Sequence, residues 1–136
     1  MNYLLDTNII SYFLRGKEPL IKERLSSTNP ENIFIPSIVL AELEYGAIKS
    51  GRYEKLKPII SEFARHFSVL PFDLDCVQAY GLIRAELERK GTPIGLNELL
   101  IASIALTHGH TLVTHNVSEF GRVRGLVVLD WCQNPA

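Results

Sequence analysis

The sequence predicts an α/β fold: a three-layer α/β/α domain whose central parallel sheet has four or five strands. Short apolar runs of β type alternate with longer segments of helical periodicity, which is typical of parallel strands joined by crossover helices. A length of 136 residues with 46% hydrophobic residues is enough to form one core. We therefore expect residues 1–136 to form a single domain.

Five segments have the composition of short strands, and turn residues or helical segments separate them. Because the connections are long enough to hold a helix, we expect neighbouring strands to run parallel. The segments are Tyr3–Leu5, Ile33–Pro36, Val69–Phe72, Thr111–Thr114 and Leu126–Leu129.

Two helices have recognisable ends. Ser37 is placed to cap a helix that runs to about Ser50, where a glycine follows as a stop. A second helix starts near Asp73 or Asp75 and ends before Gly91, and its apolar residues recur at steps of three and four. This periodicity predicts an amphipathic helix at the surface. The segment from 95 to 108 differs because it is apolar on nearly every side, so we expect a central, buried helix there.

The composition excludes several classes of protein. A net charge of −1 gives no reason to expect tight nonspecific binding to nucleic acid. Cys76 and Cys132 form no C-x-x-C motif and no segment resembles a signal peptide, so we expect a reduced, cytoplasmic protein. The apolar runs are far shorter than the ~20 residues of a membrane-spanning helix, so we expect no membrane association.

Polar residues at strand ends are the first functional candidates, because ligands of open α/β sheets bind beyond the carboxyl ends of the strands. Asp6, Thr7 and Asn8 directly follow the first predicted strand. Taken alone, Asp6 is explained equally well as the cap of a helix that begins at Ile9.

Glutamates follow the second predicted strand. Glu42 and Glu44 both have apolar neighbours three and four residues away, so periodicity does not decide which of them turns inward. A solvated surface glutamate is an equally good explanation for either residue.

Two further acids lie near predicted helix starts. Glu98 is in the first turn of the buried helix, where the helix dipole favours an acid by roughly 0.3–1 kcal/mol in any case. After the fourth strand, Thr114 and Asn116 precede Glu119, which could close a capping box with Asn116. Each acid is ambiguous alone, but four acids near one sheet edge predict a cluster.

A cluster of carboxylates needs a cation, because neighbouring carboxylates raise one another's pKa values. Oxygen ligands suit Mg²⁺ and Mn²⁺, which can activate a water molecule and neutralise charge on a phosphate. No cysteine and histidine spacing indicates zinc, and no glycine-rich nucleotide-binding loop is present. The pattern favours phosphodiester hydrolysis.

Four segments of the chain resemble the PIN domain, in particular the toxin nucleases of VapBC toxin–antitoxin pairs. The similarity covers essentially the whole chain. Its marks are Leu4–Asn8, Ala41–Gly46, Ile94–Ser103 and Thr114–Phe120.

The resemblance implies a PIN-like domain and a metal-dependent endoribonuclease, the toxin of a type II pair. It selects Glu42 over Glu44 and implies a cognate VapB-like antitoxin whose tail covers the active site, a homodimer or higher assembly, and an RNA substrate, with transfer RNA as one candidate. The implied ligands of Mg²⁺ or Mn²⁺ are Asp6, Glu42, Glu98 and Glu119, supported by Thr7, Asn8, Thr114 and Asn116.

One position departs from the family pattern, because Glu98 stands where these toxins commonly have aspartate. The extra methylene moves the carboxylate outward by about a bond length, and a misplacement of ~1 Å can cost on the order of 10²-fold in rate. The alternative prediction is therefore a catalytically impaired PIN-like protein that binds RNA or a partner.

Other readings of the same residues remain open. A phosphatase that forms an aspartyl-phosphate would want a second aspartate in place of Asn8, and a signalling receiver domain would want a lysine within 114–119. His115 adjoins the predicted site, but a ligand role for it is the minority interpretation. A strip of basic residues after the second helix is a candidate phosphate contact, although a solvated surface explains it better; it comprises Lys49, Arg52, Lys55 and Lys57.

Overall fold

A computed structural model describes residues 1–133 of the chain and contains a five-stranded sheet. All neighbouring strands are parallel, and their order across the sheet is β3-β2-β1-β4-β5. The predicted three-layer α/β/α fold is confirmed. The strands are β1 Tyr3–Leu5, β2 Ile33–Pro36, β3 Ser68–Leu70, β4 Thr111–Val113 and β5 Val128–Leu129.

Helices fill the connections between the strands. In the described part of the chain, none of them is both long enough and apolar enough to cross a membrane. They are α1 Thr7–Leu14, α2 Pro19–Ser27, α3 Ser37–Lys49, α4 Tyr53–Ala64, α5 Val77–Arg89, α6 Leu96–His108 and α7 Val117–Phe120, with 3₁₀ turns at Pro30–Asn32 and Leu74–Cys76.

Four strand boundaries differ from the prediction, because a strand extends only as far as its partner does. The third strand begins at Ser68 instead of Val69, since Ser68 pairs with Phe34. The third strand ends at Leu70 instead of Phe72, since Leu70 pairs with Pro36 and the chain then leaves β2 for a helix. The fourth strand ends one residue early, at Val113, and the last begins two residues late, at Val128.

Two predicted helix starts were also wrong. Pro36, not Ser37, occupies the cap position of α3, and its φ of −65° and ψ of 140° lead directly from β2 into the helix. Ser37 is the first helical residue, and no side chain of the described residues caps this end. Helix α1 begins at Thr7 rather than Ile9, because the Asp6 side chain accepts a hydrogen bond from the Thr7 N–H. In both cases the helix begins at the residue after the cap, and the position of the cap is set by where the preceding strand ends.

The strand order contains one reversal. The chain adds β2 and β3 on one side of β1 and then returns to add β4 and β5 on the other side. Because parallel crossovers are right-handed, the helices before and after this reversal cover opposite faces of the sheet. The reversal lies between β1 and β4, and such a point is where open α/β sheets form a ligand crevice.

Helix α6 is central, as its composition predicts. Six of its residues are buried, including Ile101, Ile104 and the polar Ser103, whose hydroxyl donates to the Leu99 carbonyl oxygen at 2.5 Å. The burial of α6 holds its N-terminal turn, which carries Glu98, close to the sheet.

Candidate active site at the carboxyl edge of the sheet

Asp6 lies at the centre of the candidate site. It follows β1 directly, and only 7% of its surface is exposed. One carboxylate oxygen accepts the Thr7 N–H at 2.8 Å, and the other accepts the Thr114 hydroxyl at 2.7 Å. Asp6 is therefore both the cap of α1 and a buried acid that faces the end of β4.

The register of the sheet explains why Asp6 meets Thr114. Leu5 pairs with Val113, so the next residue of each strand lies side by side. The Asp6 N–H donates to the Val113 carbonyl oxygen at 2.9 Å and continues the ladder one step beyond β1. Strand pairing alone thus joins two residues that are 108 positions apart in the chain.

Glu119 does not close the capping box that the sequence suggests. The Asn116 N–H donates to the Thr114 hydroxyl at 3.0 Å, so the backbone donor that a capping box needs is already used. Glu119 instead accepts the Asn116 side-chain amide at 2.7 Å and the Gly95 N–H at 2.9 Å. Its carboxylate therefore joins the start of α7 to the start of α6.

Glu98 occupies the first turn of α6, and its carboxylate folds back over Gly95. A Cβ atom on Gly95 would lie closer to Oε2 of Glu98 than van der Waals contact allows. By its place in the sequence, Gly95 is only the residue before a helix. The glycine supplies both the N–H that Glu119 accepts and the space that Glu98 occupies.

The two glutamates of α3 have different surroundings. Glu44 accepts hydrogen bonds from the Tyr53 hydroxyl and, at 2.7 Å, from the Lys57 ammonium, and these partners lower its pKa. Glu42 forms no such ion pair with any residue of 1–133, and it lies near Thr7, Asp6 and Glu98. The structure thus separates two residues that periodicity could not distinguish.

Burial is the main cause of the raised pKa values of Asp6, Glu42 and Glu98. For Asp6, hydrogen bonds from Thr114 and Thr7 oppose burial, while the charge of Glu119 adds to it. The pKa of Glu42 is raised further by Asp6 and Glu98, against a lowering by Thr7. The pKa of Glu98 is raised further by Glu119 and Asp6, against a lowering by its own backbone N–H. The acids therefore share one negative potential.

No basic side chain neutralises this potential: among residues 1–133, none of the ion pairs includes any of the four acids. The Thr7 hydroxyl lies close enough to lower the pKa of Glu42, yet it is buried and makes no hydrogen bond of regular geometry. Oxygen donors with unbalanced negative charge fit a hard divalent cation. Among the described residues, no three of these carboxylates have ligand atoms within 4.8 Å of one another. The four acids are therefore spaced more widely than the ligands of a compact metal site.

A groove of about 470 Å³ opens beside the acids. Thr7, the exposed Asn8 and Glu42 line it near the acids, and Arg15 and Arg52 also line it. The rest of the predicted basic strip is differently engaged, since Lys57 pairs with Glu44 and Lys49 lies 5.8 Å from the centre of the Tyr45 ring. The remaining lining is largely apolar and includes Leu14, Leu56, Ile59 and Ile60.

Comparison with known proteins gives one consistent result. Residues 3–126 match the PIN domain family. The chain is 41% identical over 132 residues to ribonuclease VapC2 of Rickettsia felis, covering 96% of this chain and 98% of that protein. It is 39% identical over 132 residues to the tRNA(fMet)-specific endonuclease VapC of Salmonella typhimurium, covering 97% and 99%.

Solved structures give the same result for the fold. The crystal structure of VapBC2 from Rickettsia felis, bound to a DNA fragment from their promoter, contains a chain that superposes with a TM-score of 0.91 at 40% identity. The superposition covers 96% of this chain and 99% of that one.

Proposed function

The chain belongs to the PIN-domain family and, within it, to the VapC ribonucleases of toxin–antitoxin pairs, and on this premise we propose that it hydrolyses RNA phosphodiester bonds with Mg²⁺ or Mn²⁺. The observation that carries the proposal is the group of four acids around the end of β1, buried enough to raise the pKa values of Asp6, Glu42 and Glu98 and unpaired with any basic side chain of the described residues.

The proposed metal ligands are Asp6, Glu42, Glu98 and Glu119. When bound, Mg²⁺ or Mn²⁺ supplies an activated water molecule and neutralises charge on the phosphate and on the leaving oxygen. The chain positions the ligands: Thr114 and Thr7 hold Asp6, and the Asn116 amide holds Glu119.

The groove beside the acids supports an extended, anionic ligand. Arg15 and Arg52 can contact phosphates there, and phosphate contacts fix the register of a strand without reading its bases. Asn8 is exposed at the boundary between the acids and the groove, so we assign it to water or substrate.

The relatives support the biological role. Because the Salmonella typhimurium relative is a tRNA(fMet)-specific endonuclease, transfer RNA is the first substrate to test. Because the Rickettsia felis structure is a VapBC complex, we propose a cognate VapB-like antitoxin that covers the acids and the groove. A homodimer within such an assembly is part of the same proposal.

The test is cleavage of a mixed pool of transfer RNA and ribosomal RNA by purified, antitoxin-free protein, with Mg²⁺, with Mn²⁺ and with chelator. We expect fragments only with metal and none from Asp6→Asn. Helix α3 offers a matched pair of variants: Glu42→Gln should lower cleavage by on the order of 10²-fold, since losses in a metal site reach this size, and Glu44→Gln should leave it within a few-fold.

The outcomes separate the alternatives. Cleavage that persists in chelator, or in Asp6→Asn, contradicts the metal mechanism. Equal losses in Glu42→Gln and Glu44→Gln would show that the effect comes from the fold of α3 and not from metal ligation.

A further inference from the structure

A second group of potential metal ligands lies beside the carboxylate site but uses none of its residues. His115 follows β4 by two positions, and Asp130 follows β5 directly. The Nδ1 or Nε2 atom of His115, a carboxylate oxygen of Asp130 and Sγ of Cys132 all lie within 4.8 Å of one another. It is the one triad of this kind among residues 1–133.

Strand register assembles this triad. Val113 of β4 pairs with Leu129 of β5, and the Thr114 N–H donates to the Leu129 carbonyl oxygen at 3.0 Å. Residues just after the two strands therefore lie side by side, although 15 positions separate His115 from Asp130. No zinc-type spacing in the sequence predicts the group, because the spacing arises from pairing of two strands.

The three side chains are already held in place. His115 Nδ1 is 3.0 Å from Oδ2 of Asp130, and the Cys132 N–H donates to Oδ1 of the same carboxylate at 2.8 Å. Trp131, which is 1% exposed, anchors the segment between the two ligands in the core. The Asp130 side chain is 8% exposed, whereas that of His115 is 48% exposed, so the group opens to solvent on the histidine side.

We propose that His115, Asp130 and Cys132 bind a borderline divalent cation, Zn²⁺, at a site separate from the carboxylate site. Imidazole, carboxylate and thiolate are the side-chain ligands that zinc uses, and three protein ligands leave a fourth position for water or an external group. This donor set differs from the oxygen-only set of Asp6 and its neighbours, which suits Mg²⁺ or Mn²⁺. The two sites therefore select different ions.

The local charge explains how the thiol responds to a cation. Burial, Asp130 and Glu18 raise the pKa of Cys132 to about 12, so the free thiol keeps its proton at neutral pH. Zinc binds the thiolate, and binding therefore releases the thiol proton to solvent while the imidazole binds as the neutral ring. The same negative charge attracts a dication to this position.

The test uses Co²⁺ as a spectroscopic substitute for Zn²⁺, with the full-length chain and no RNA. One equivalent of Co²⁺ should produce a near-ultraviolet charge-transfer band from thiolate to metal, and added Zn²⁺ should remove the band. Cys132→Ser should abolish it, and His115→Gln should weaken Co²⁺ binding by at least about 10-fold, since losses in a metal site reach this size even beyond the direct ligands.

Controls separate this site from the rest of the molecule. His108→Gln makes the same change at an exposed histidine outside the triad and should leave the band unchanged. Asp6→Asn should also keep the band, so the result does not depend on the nuclease proposal. Absence of the band in the parent protein overturns the inference. Persistence of the band in Cys132→Ser also overturns it, because the thiol would then be Cys76, the other cysteine of the chain.

Discussion

Glu98 illustrates how a single methylene group is accommodated at the site. The side chain folds back over Gly95, and its carboxylate stays close enough to Glu119 and Asp6 for their charges to raise its pKa. The backbone N–H of Glu98 acts on its own carboxylate and lowers its pKa against the effect of burial. The folded conformation shortens the reach of the glutamate side chain from the backbone of α6.

We predict that charge matters more than length at this position. Glu98→Asp should keep RNA cleavage within about 10-fold of the parent, whereas Glu98→Gln should lower it by on the order of 10²-fold or more, because it removes a charged ligand. The measurement is the metal-dependent cleavage rate of both variants at equal concentration. A much faster Glu98→Asp enzyme would show that the parent residue is misplaced.

Thr114 connects two of the acids, since it binds Asp6 directly and reaches Glu119 through Asn116. Its hydroxyl donates to Asp6 and accepts the Asn116 N–H, and it is fully buried. Thr114→Val should lower the free energy of unfolding by about 1–3 kcal/mol, because it removes the hydrogen-bond partner of the buried Asp6 carboxylate and of the part-buried Asn116 N–H. Urea denaturation in chelator measures the change. Thr114→Ser keeps the hydroxyl and is the control; equal losses in both variants would rule out the hydrogen bonds as the cause.

At the scale of single elements, the start of α6 is the point where two parts of the site meet. Gly95 donates its N–H to Glu119, which belongs to α7, and its missing side chain leaves room for the Glu98 carboxylate. One glycine therefore positions acids from two helices.

Gly95→Ala should lower cleavage by about 10-fold or more, because the new Cβ atom forces the Glu98 carboxylate away from its position. The fold should persist, since the neighbouring atom belongs to the flexible end of a side chain. The matched control is Gly81→Ala within α5, where a Cβ meets open space and should stabilise the helix by roughly 0.5–1 kcal/mol. Cleavage rates and melting temperatures of both variants test this, and full activity of Gly95→Ala would contradict it.

For the whole molecule, the acids make stability depend on pH. Asp6, Glu42 and Glu98 have folded-state pKa values above their ordinary values, so the folded state binds more protons than the unfolded state as these groups titrate. The contribution of these three acids to the free energy of unfolding is therefore lost as the pH rises through their folded-state pKa values, and it is regained as the pH falls. Glu44 and Glu86 act in the opposite direction, because their pKa values are lowered.

We predict that, in chelator, the contribution of these acids to the melting temperature increases from neutral pH down to about pH 5. The measurement is the melting temperature of the parent protein minus that of the double variant Glu42→Gln, Glu98→Gln at each pH. The effects of Glu44 and Glu86 cancel in this difference, because both proteins contain these residues. The double variant should have the higher melting temperature at neutral pH, and the difference in melting temperature between the two proteins should become smaller as the pH falls. A gap that widens on acidification would contradict the assigned direction.

Mg²⁺ should make the parent protein, and not the double variant, the more stable of the two at neutral pH. At about 100 times its Kd, it should stabilise the parent by ~2.7 kcal/mol and leave the double variant nearly unchanged.

The sequence predicted the main elements of this fold correctly, but some element boundaries and one cap were wrong. Alternating patterns predicted the parallel sheet, and apolar residues all round α6 predicted its burial. The errors occur where contacts with other segments set the local structure. Strand β3 stops at Leu70 because its partner β2 ends at Pro36, and the predicted capping box is absent because the Asn116 N–H donates to Thr114.

The sequence by itself determined the α/β class, the family and the acids that could serve a metal, because these depend on residue type and on order along the chain. Only the tertiary structure decided which groups meet. Pairing of β1 with β4 brings Thr114 to Asp6, and pairing of β4 with β5 brings Asp130 and Cys132 to His115. The physical reason is that strand register is set by hydrogen bonds between segments far apart in the chain, and no local pattern records it.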